Sequence, residues 1–265
     1  MPRTPVVLIH GPWLHSASWR PWVTRFTDRG FAVVAPGWPG EPETVGEARR
    51  SPGALPEIGL DALTEHYEDI VRSFDIPPVV LGHSVGGLIA QYLLGLGRIR
   101  AAVAIAPAPI EGAPPGAVFT DPARWPDSAG PSPTVSLSAE QFRAAFANTV
   151  PEEASRLFEH YVIPSSRRLL SDLSDGPGSA QRRRTVDTAN SRRGPLLLVS
   201  GQEDRMVPDE VNRAVYKLYG DAAAQSSLKQ FPDRAHSLTI DSGWQGVADH
   251  VLVWLAQHGI HGDQP

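Results

Sequence analysis

The fold class the sequence predicts is α/β: an open, mostly parallel sheet with helices on both faces and a helical cap inserted after the fourth recognisable strand. Two observations predict it. Short unbroken apolar runs, such as Val6-Val7-Leu8-Ile9, Val79-Val80-Leu81 and Leu196-Leu197-Leu198-Val199, alternate with stretches of helical periodicity. Strands that are apolar at every position are buried on both faces, which is the habit of parallel sheets whose crossover helices cover them. The second observation is a break in that rhythm over residues 107–194, a stretch too long for an ordinary loop. The expected division is a core of residues 1–107 and 194–265, with residues 108–193 as the cap, or lid.

The elements follow in order. Residues 6–9 form the first strand and end at His10-Gly11. Residues 17–28 carry Trp19, Trp22, Val23 and Phe26 at helical spacing, and Gly30 stops the helix. Residues 31–35 are a second strand, followed by an irregular Pro/Gly-rich segment to Pro56 that includes Gly37-Trp38-Pro39-Gly40. Residues 59–74 place Leu60, Leu63, Tyr67, Ile70, Val71 and Phe74 on one helical face. A strand ending at Leu81, a helix from Leu88 and a fourth strand over residues 101–106 come next. In the break, residues 139–149, 151–161 and 165–173 are short helical candidates. The Arg182-Arg183-Arg184 run beyond them reads as solvated surface. The core resumes with a strand at 195–200, a helix at 208–219, a strand at 226–231 and a closing helix at 244–257.

Composition narrows the function. The net charge is −5, which offers no electrostatic case for nucleic acid or an anionic membrane as partner. There are no cysteines, so disulfides, thiolate metal sites and cysteine nucleophiles are excluded. No apolar run approaches the ~20 residues of a membrane helix, and the N-terminus lacks a signal peptide's pattern. The expectation is a cytoplasmic protein with a small-molecule substrate and no cofactor. The oligomeric state stays open, with a homodimer as one option.

Chemistry concentrates at Gly82-His83-Ser84-Val85-Gly86-Gly87. A serine between glycines two positions away on each side, after an apolar run and before a helix, is the nucleophile-elbow pattern. Small flanking residues let strand and helix approach, and the helix's first N–H groups face the space above the serine. A serine hydroxyl needs a base, and the base needs an orienting group. The loops after the last two strands carry candidates: Gly201-Gln202-Glu203-Asp204 in one, Asp233-Arg234-Ala235-His236 in the other. Glu203 and Asp209 compete with Asp204 for the acid. His83 competes with His236 for the base but lies on the elbow itself. No pair among His66, His160, His250, His258 and His261 has metal-ligand spacing, so no metal is expected.

The order Ser84, Asp204, His236 follows the Ser…Asp/Glu…His order of one hydrolase architecture. On these residues the chain resembles the α/β-hydrolase fold superfamily over nearly its full length, and within it the small single-domain esterase/lactonase-like or cofactor-free members with a helical cap. The resemblance implies that Ser84 attacks an acyl carbonyl, His236 moves the proton and Asp204 holds the imidazole. It implies one oxyanion donor at Val85 N–H. The residue expected to give the second is Pro12, which has no N–H, and this shifts the expectation to the backbone or indole N–H of Trp13. A hole with one good donor and a shifted loop are the alternatives. Pro12, His15, Trp38, His83, Pro109, Phe119 and Trp125 are the expected pocket residues, and their apolar character suits a small to medium hydrophobic ester or lactone. A non-hydrolytic enzyme of the same fold (a natural-product cyclase, C–C bond hydrolase or cofactor-free haloperoxidase) is the rival expectation. A ligand-binding protein without turnover comes third.

Overall fold

A computed structural model describes residues 3–52, 56–114, 132–174, 185–220 and 223–263. In chain order β1 is Pro5–Ile9, α1 Arg20–Thr27, β2 Ala32–Val34, α2 Val45–Arg50, α3 Leu60–Arg72, β3 Val79–His83, α4 Val85–Gly95 and β4 Ala101–Ile105. Then follow β5 Thr134–Val135, α5 Ala139–Gln141, α6 Ala154–Tyr161, β6 Ser165–Ser166, α7 Arg167–Ser174, β7 Leu196–Gly201, α8 Asp209–Leu218, β8 Ser226–Phe231 and α9 Trp244–Gln257.

Six strands form one sheet in the order β2-β1-β3-β4-β7-β8, and every pairing is parallel. The apolar runs explain it. Alternate residues of the inner strands enter two separate cores. Val6, Leu8, Val79, Leu81, Val103 and Val199 pack on one face with Trp22 and Phe26 of α1 and Val251 and Leu255 of α9. Val7, Ile9, Val80, Ala104 and Leu198 pack on the other with α3, α4 and α8. Strands β1, β3, β4 and β7 are buried at every position, whereas edge strand β2 exposes Ala32 and Val34.

The strand order reverses between β1 and β3. At such a switch point the loops leaving the two strands diverge and open a crevice beyond their carboxyl ends. The loop after β1 begins with His10-Gly11, and the turn after β3 carries Ser84. Asp204 and His236 lie beyond the same ends of β7 and β8.

Several elements differ in detail from expectation. The helix expected at 17–28 divides into a 3₁₀ turn, Ser16–Trp19, and α1. Pro21 near the α1 start explains the division, since proline lacks the N–H that a continuous helix would need there. The segment expected to be irregular contains α2, whose start is fixed by a capping box: Thr44 Oγ1 accepts Glu47 N–H and the Glu47 carboxylate accepts Thr44 N–H. Between β4 and β7, β5 and β6 form a two-stranded antiparallel sheet. The helix expected at 139–149 is instead a short α5, capped by Ser138, that widens into a single π-helical turn, Phe142–Phe146. Phe119, Trp125 and the Arg182-Arg183-Arg184 run lie outside the described residues.

Candidate active site

Ser84 occupies the turn between β3 and α4 with φ 55° and ψ −115°, a region that residues with a Cβ rarely enter and that stores on the order of 1–3 kcal/mol of strain. The turn is held from several sides. Ser84 N–H donates to Ile105 O at 2.9 Å, and Ser84 O accepts from Gly87 N–H and Ala108 N–H, both at 2.9 Å. The glycines are required by contact rather than by torsion. A Cβ on Gly82 would lie 1.9 Å from Gly86 O, and one on Gly86 would lie 2.2 Å from Ile9 O.

Asp204 and His236 meet as a buried pair, with His236 Nδ1 2.7 Å from Asp204 Oδ2. The other carboxylate oxygen accepts Met206 N–H at 2.8 Å and Val207 N–H at 2.9 Å. These two donors fix the carboxylate's rotation, so Oδ2 has one orientation available toward the imidazole. An Nδ1–H donated to Asp204 leaves the lone pair on Nε2, the tautomer a general base needs. Ser84 Oγ is buried and makes no hydrogen bond in this arrangement. Such a nucleophile–base contact often tightens only when substrate binds.

His83 packs directly against this pair. Its Nε2 lies 3.0 Å from the His236 carbonyl oxygen, and the two rings are 4.6 Å apart. Burial pushes its pKa well below the ordinary histidine value, and the neighbouring His236 adds to the effect. The ring is therefore neutral, with its proton on Nε2 donated to the backbone that carries His236.

The loop after β1 packs directly on the elbow: a Cβ on Gly11 would lie 2.7 Å from Ser84 Cβ. Pro12 is buried, and Trp13 follows it in the left-handed region at φ 63°. The Trp13 indole N–H donates to Val135 O at 3.1 Å, which removes it as an oxyanion donor. Trp13 O accepts Ile163 N–H at 2.9 Å. The backbone N–H of Trp13 remains, as does that of Val85 at the start of α4, where the first-turn donors of a helix have no intrahelical partner.

His15 does not border the cavity described below. It is buried, its Nδ1 accepts Ala17 N–H at 3.0 Å, and its Nε2–H donates to Pro42 O at 2.9 Å. Trp38 stacks on His10 with ring centroids 4.8 Å apart. It also lines a mainly apolar cavity of about 350 Å³ with Trp13, Leu14, Ile58 and Ile163, counting the open mouth. Ser84 does not border this cavity. Pro109 is buried in the chain leaving β4.

Two features escaped the sequence. Phe146, on the π-helical turn, meets the His236 ring edge to face at 4.7 Å, and its carbonyl accepts Ser237 N–H at 2.9 Å. The same turn reaches the acid loop through Asn148 Nδ2 to Glu203 O at 3.0 Å and Arg205 Nη1 to Ala144 O at 3.1 Å. The second is Glu41. Its Oε2 lies 3.0 Å from His10 Nε2, and its Oε1 lies 3.6 Å from His15 Nε2. Burial alone would raise its pKa, but the two imidazoles and a hydrogen bond from Ser16 outweigh this and hold it at about 2. A capping-box pattern from Thr44 to Glu47 was present for α2, but no comparable signal marked Phe146 or Glu41.

The profile of the alpha/beta hydrolase family matches residues 6–250. The chain belongs to that family. Solved structures agree on the fold of this alpha/beta hydrolase. A monoacylglycerol lipase from Paleococcus ferrophilus superposes with a TM-score of 0.69 at 21% identity, covering 96% of this chain and 94% of its own. A methylesterase from Arabidopsis gives 0.67 at 14% identity over 96% and 99%. A pyrethroid hydrolase from Sphingobium faniae gives 0.64 at 19% over 96% and 97%. A search of curated proteins by sequence finds no match. Among the described residues of this hydrolase, no helix is long and apolar enough to cross a membrane, and no group of three or more His, Cys, Asp or Glu side chains is placed to hold a metal.

Proposed function

We propose that this alpha/beta hydrolase cleaves a carboxylic ester or lactone of a small to medium hydrophobic substrate through an acyl-enzyme on Ser84. The observation that carries the reading is the buried Asp204–His236 bond of 2.7 Å, with the His236 ring 4.6 Å from that of His83, the residue preceding the strained elbow serine. In the reaction His236 Nε2 takes the hydroxyl proton as Ser84 Oγ bonds to the carbonyl carbon. Val85 N–H and Trp13 N–H receive the developing oxyanion. The tetrahedral species collapses as the imidazolium passes the proton to the leaving alkoxide. Water, deprotonated by the same imidazole, then releases the acid and frees Ser84. The chain between β4 and β7 acts as the cap over this site. The lipase, pyrethroid hydrolase and methylesterase names of the structural neighbours support the reaction class by analogy.

The test compares wild type with Ser84→Ala on p-nitrophenyl acetate and butyrate, together with labelling by a fluorophosphonate probe. Turnover and labelling should both disappear in the variant. Ester turnover that survives Ser84→Ala overturns the mechanism. A serine that labels normally but turns over no ester favours the second reading, a non-hydrolytic enzyme of the same fold. Pro12 at the position of a usual oxyanion donor is what keeps that reading in play.

A further inference from the structure

The loop from His10 to Ser16 carries an unusual burden. Proline at position 12 removes one backbone donor, so the second oxyanion N–H falls to Trp13, a bulky residue held at φ 63°. Torsions of this kind persist only where the surroundings over-determine them. Part of the restraint comes from the chain between β4 and β7, through Ile163 N–H to Trp13 O and Val135 O from the Trp13 indole. Those bonds hold the middle of the loop. Its two ends meet at one side chain.

That side chain is Glu41, whose carboxylate is 4% exposed. Oε1 accepts Ser16 N–H at 3.0 Å, at the loop's far end. Oε2 lies 3.0 Å from His10 Nε2, at its near end. His10 Nδ1 points to Gly11 O at 3.0 Å and must carry its proton there. The opposite edge of the ring thus faces the carboxylate at the near end of the loop. Trp38 covers the His10 ring, and Glu41 is itself fixed by its N–H donated to Trp38 O at 2.9 Å. Gly37 is part of the fit, because a Cβ there would lie 2.7 Å from Glu41 Oε1. The group is not a metal set: both nitrogens of His15 are occupied, by Ala17 N–H and Pro42 O.

We propose that Glu41 is a positioning residue for the oxyanion hole, a buried carboxylate that ties His10 to Ser16 and thereby aims Trp13 N–H where Pro12 cannot donate. The inference rests on the Ser84 reading above and deepens it. Glu41 borders the apolar cavity beside Trp13, but among the described residues it contacts neither Ser84 nor the Asp204–His236 pair, so its effect on the chemical step passes through the loop.

The experiment uses the full-length protein and the variants Glu41→Gln and Glu41→Asp. Gln keeps an acceptor for Ser16 N–H but removes the charge opposite His10, and Asp keeps the charge but withdraws it by one methylene. Hydrogen exchange of the peptide containing residues 10–16 reads the loop without reference to chemistry, and it should accelerate in both variants. With p-nitrophenyl butyrate, kcat should fall about 10- to 100-fold, since complete loss of one oxyanion donor costs on the order of 100- to 1,000-fold. KM should change by less than about threefold, because ground-state binding does not use the hole. Inhibition by phenylboronic acid, whose tetrahedral adduct needs both donors, should weaken in step with kcat. Unchanged loop exchange in both variants overturns the proposal, and so does a kcat within about twofold of wild type. If instead Ser84→Ala retains turnover, the Ser84 reading fails, while the exchange measurement still decides whether Glu41 ties the loop.

Discussion

Asp204→Asn isolates what the carboxylate does, because the structure dictates how the amide must sit. Met206 N–H and Val207 N–H both donate to Oδ1, at 2.8 and 2.9 Å. An asparagine can satisfy them only with its carbonyl oxygen, which turns its NH₂ toward His236 Nδ1, 2.7 Å from the present Oδ2. Two donors cannot share that contact, so the imidazole must give up its Nδ1 proton and carry it on Nε2. The lone pair then faces the substituted amide rather than Ser84, and the general base is lost without any change in shape. A wrong tautomer of this kind costs about 10⁴-fold in kcat in the serine protease precedent, or about 5.5 kcal/mol of transition-state stabilisation at 1.36 kcal/mol per decade. The backbone bonds are kept and one neutral hydrogen bond replaces a charge-assisted one, so unfolding should shift by no more than about 1–2 kcal/mol. The assay is kcat/KM for p-nitrophenyl butyrate alongside urea denaturation followed by circular dichroism. A folded Asp204→Asn enzyme within tenfold of wild-type kcat refutes the tautomer argument and reopens Glu203 as the acid.

Further outcomes follow from other contacts. Gly82→Ala and Gly86→Ala should fail to give soluble folded protein, because each new Cβ would meet backbone atoms at 1.9 and 2.2 Å; a wild-type melting temperature in either would contradict the close approach of β3, α4 and β1. Glu41, held at about pKa 2 against an ordinary 4.5, contributes stability that is fully present above pH 4.5 and lost as the pH falls through 2. The contribution is about 3 kcal/mol at most. Denaturant midpoints of wild type and Glu41→Gln should therefore differ at pH 7 and converge towards pH 2, and a constant gap would sink the assignment. Tyr219→Phe removes the hydroxyl that donates to Gln91 Oε1 at 3.1 Å, while Gln91 Nε2 donates to Gly87 O at 3.1 Å beside the elbow. Leaving that buried acceptor unpaired should cost about 1–3 kcal/mol in urea unfolding, with the esterase rate changed less than threefold.

The sheet was legible because its physics is local. Val79-Val80-Leu81 reads as a two-sided strand whatever surrounds it, and Gly82 to Gly87 encode steric limits that no other residue meets. Chain order and strand ends pointed to Asp204 and His236 as a pair, although their 2.7 Å contact had no signature in the sequence. What escaped had no local signature. Glu41 lies in a Pro/Gly-rich stretch without periodicity, and its partners His10 and His15 are in a different part of the chain. Phe146 depends on a π-helical turn, which departs from the helical repeat by one residue and leaves the apolar spacing ambiguous. Strands β5 and β6 have two residues each, too short for any pattern. The hydrogen bonds of His15 to Ala17 and Pro42 were equally invisible, since neither partner is marked by any local pattern.

The chain between β4 and β7 is bonded at several points to the loops of the candidate site. Tyr161 O and Ile163 N–H clasp the loop around Trp13, Phe146 O holds Ser237, and Asn148 holds Glu203. Modular exchange is therefore restricted in this enzyme. A segment transplanted here from a relative to bring a new substrate preference would also loosen the loops that carry His236, Asp204 and Trp13, so such chimeras should lose turnover before they change selectivity. Evolution toward new substrates has an easier route through single side chains on this segment than through replacing it.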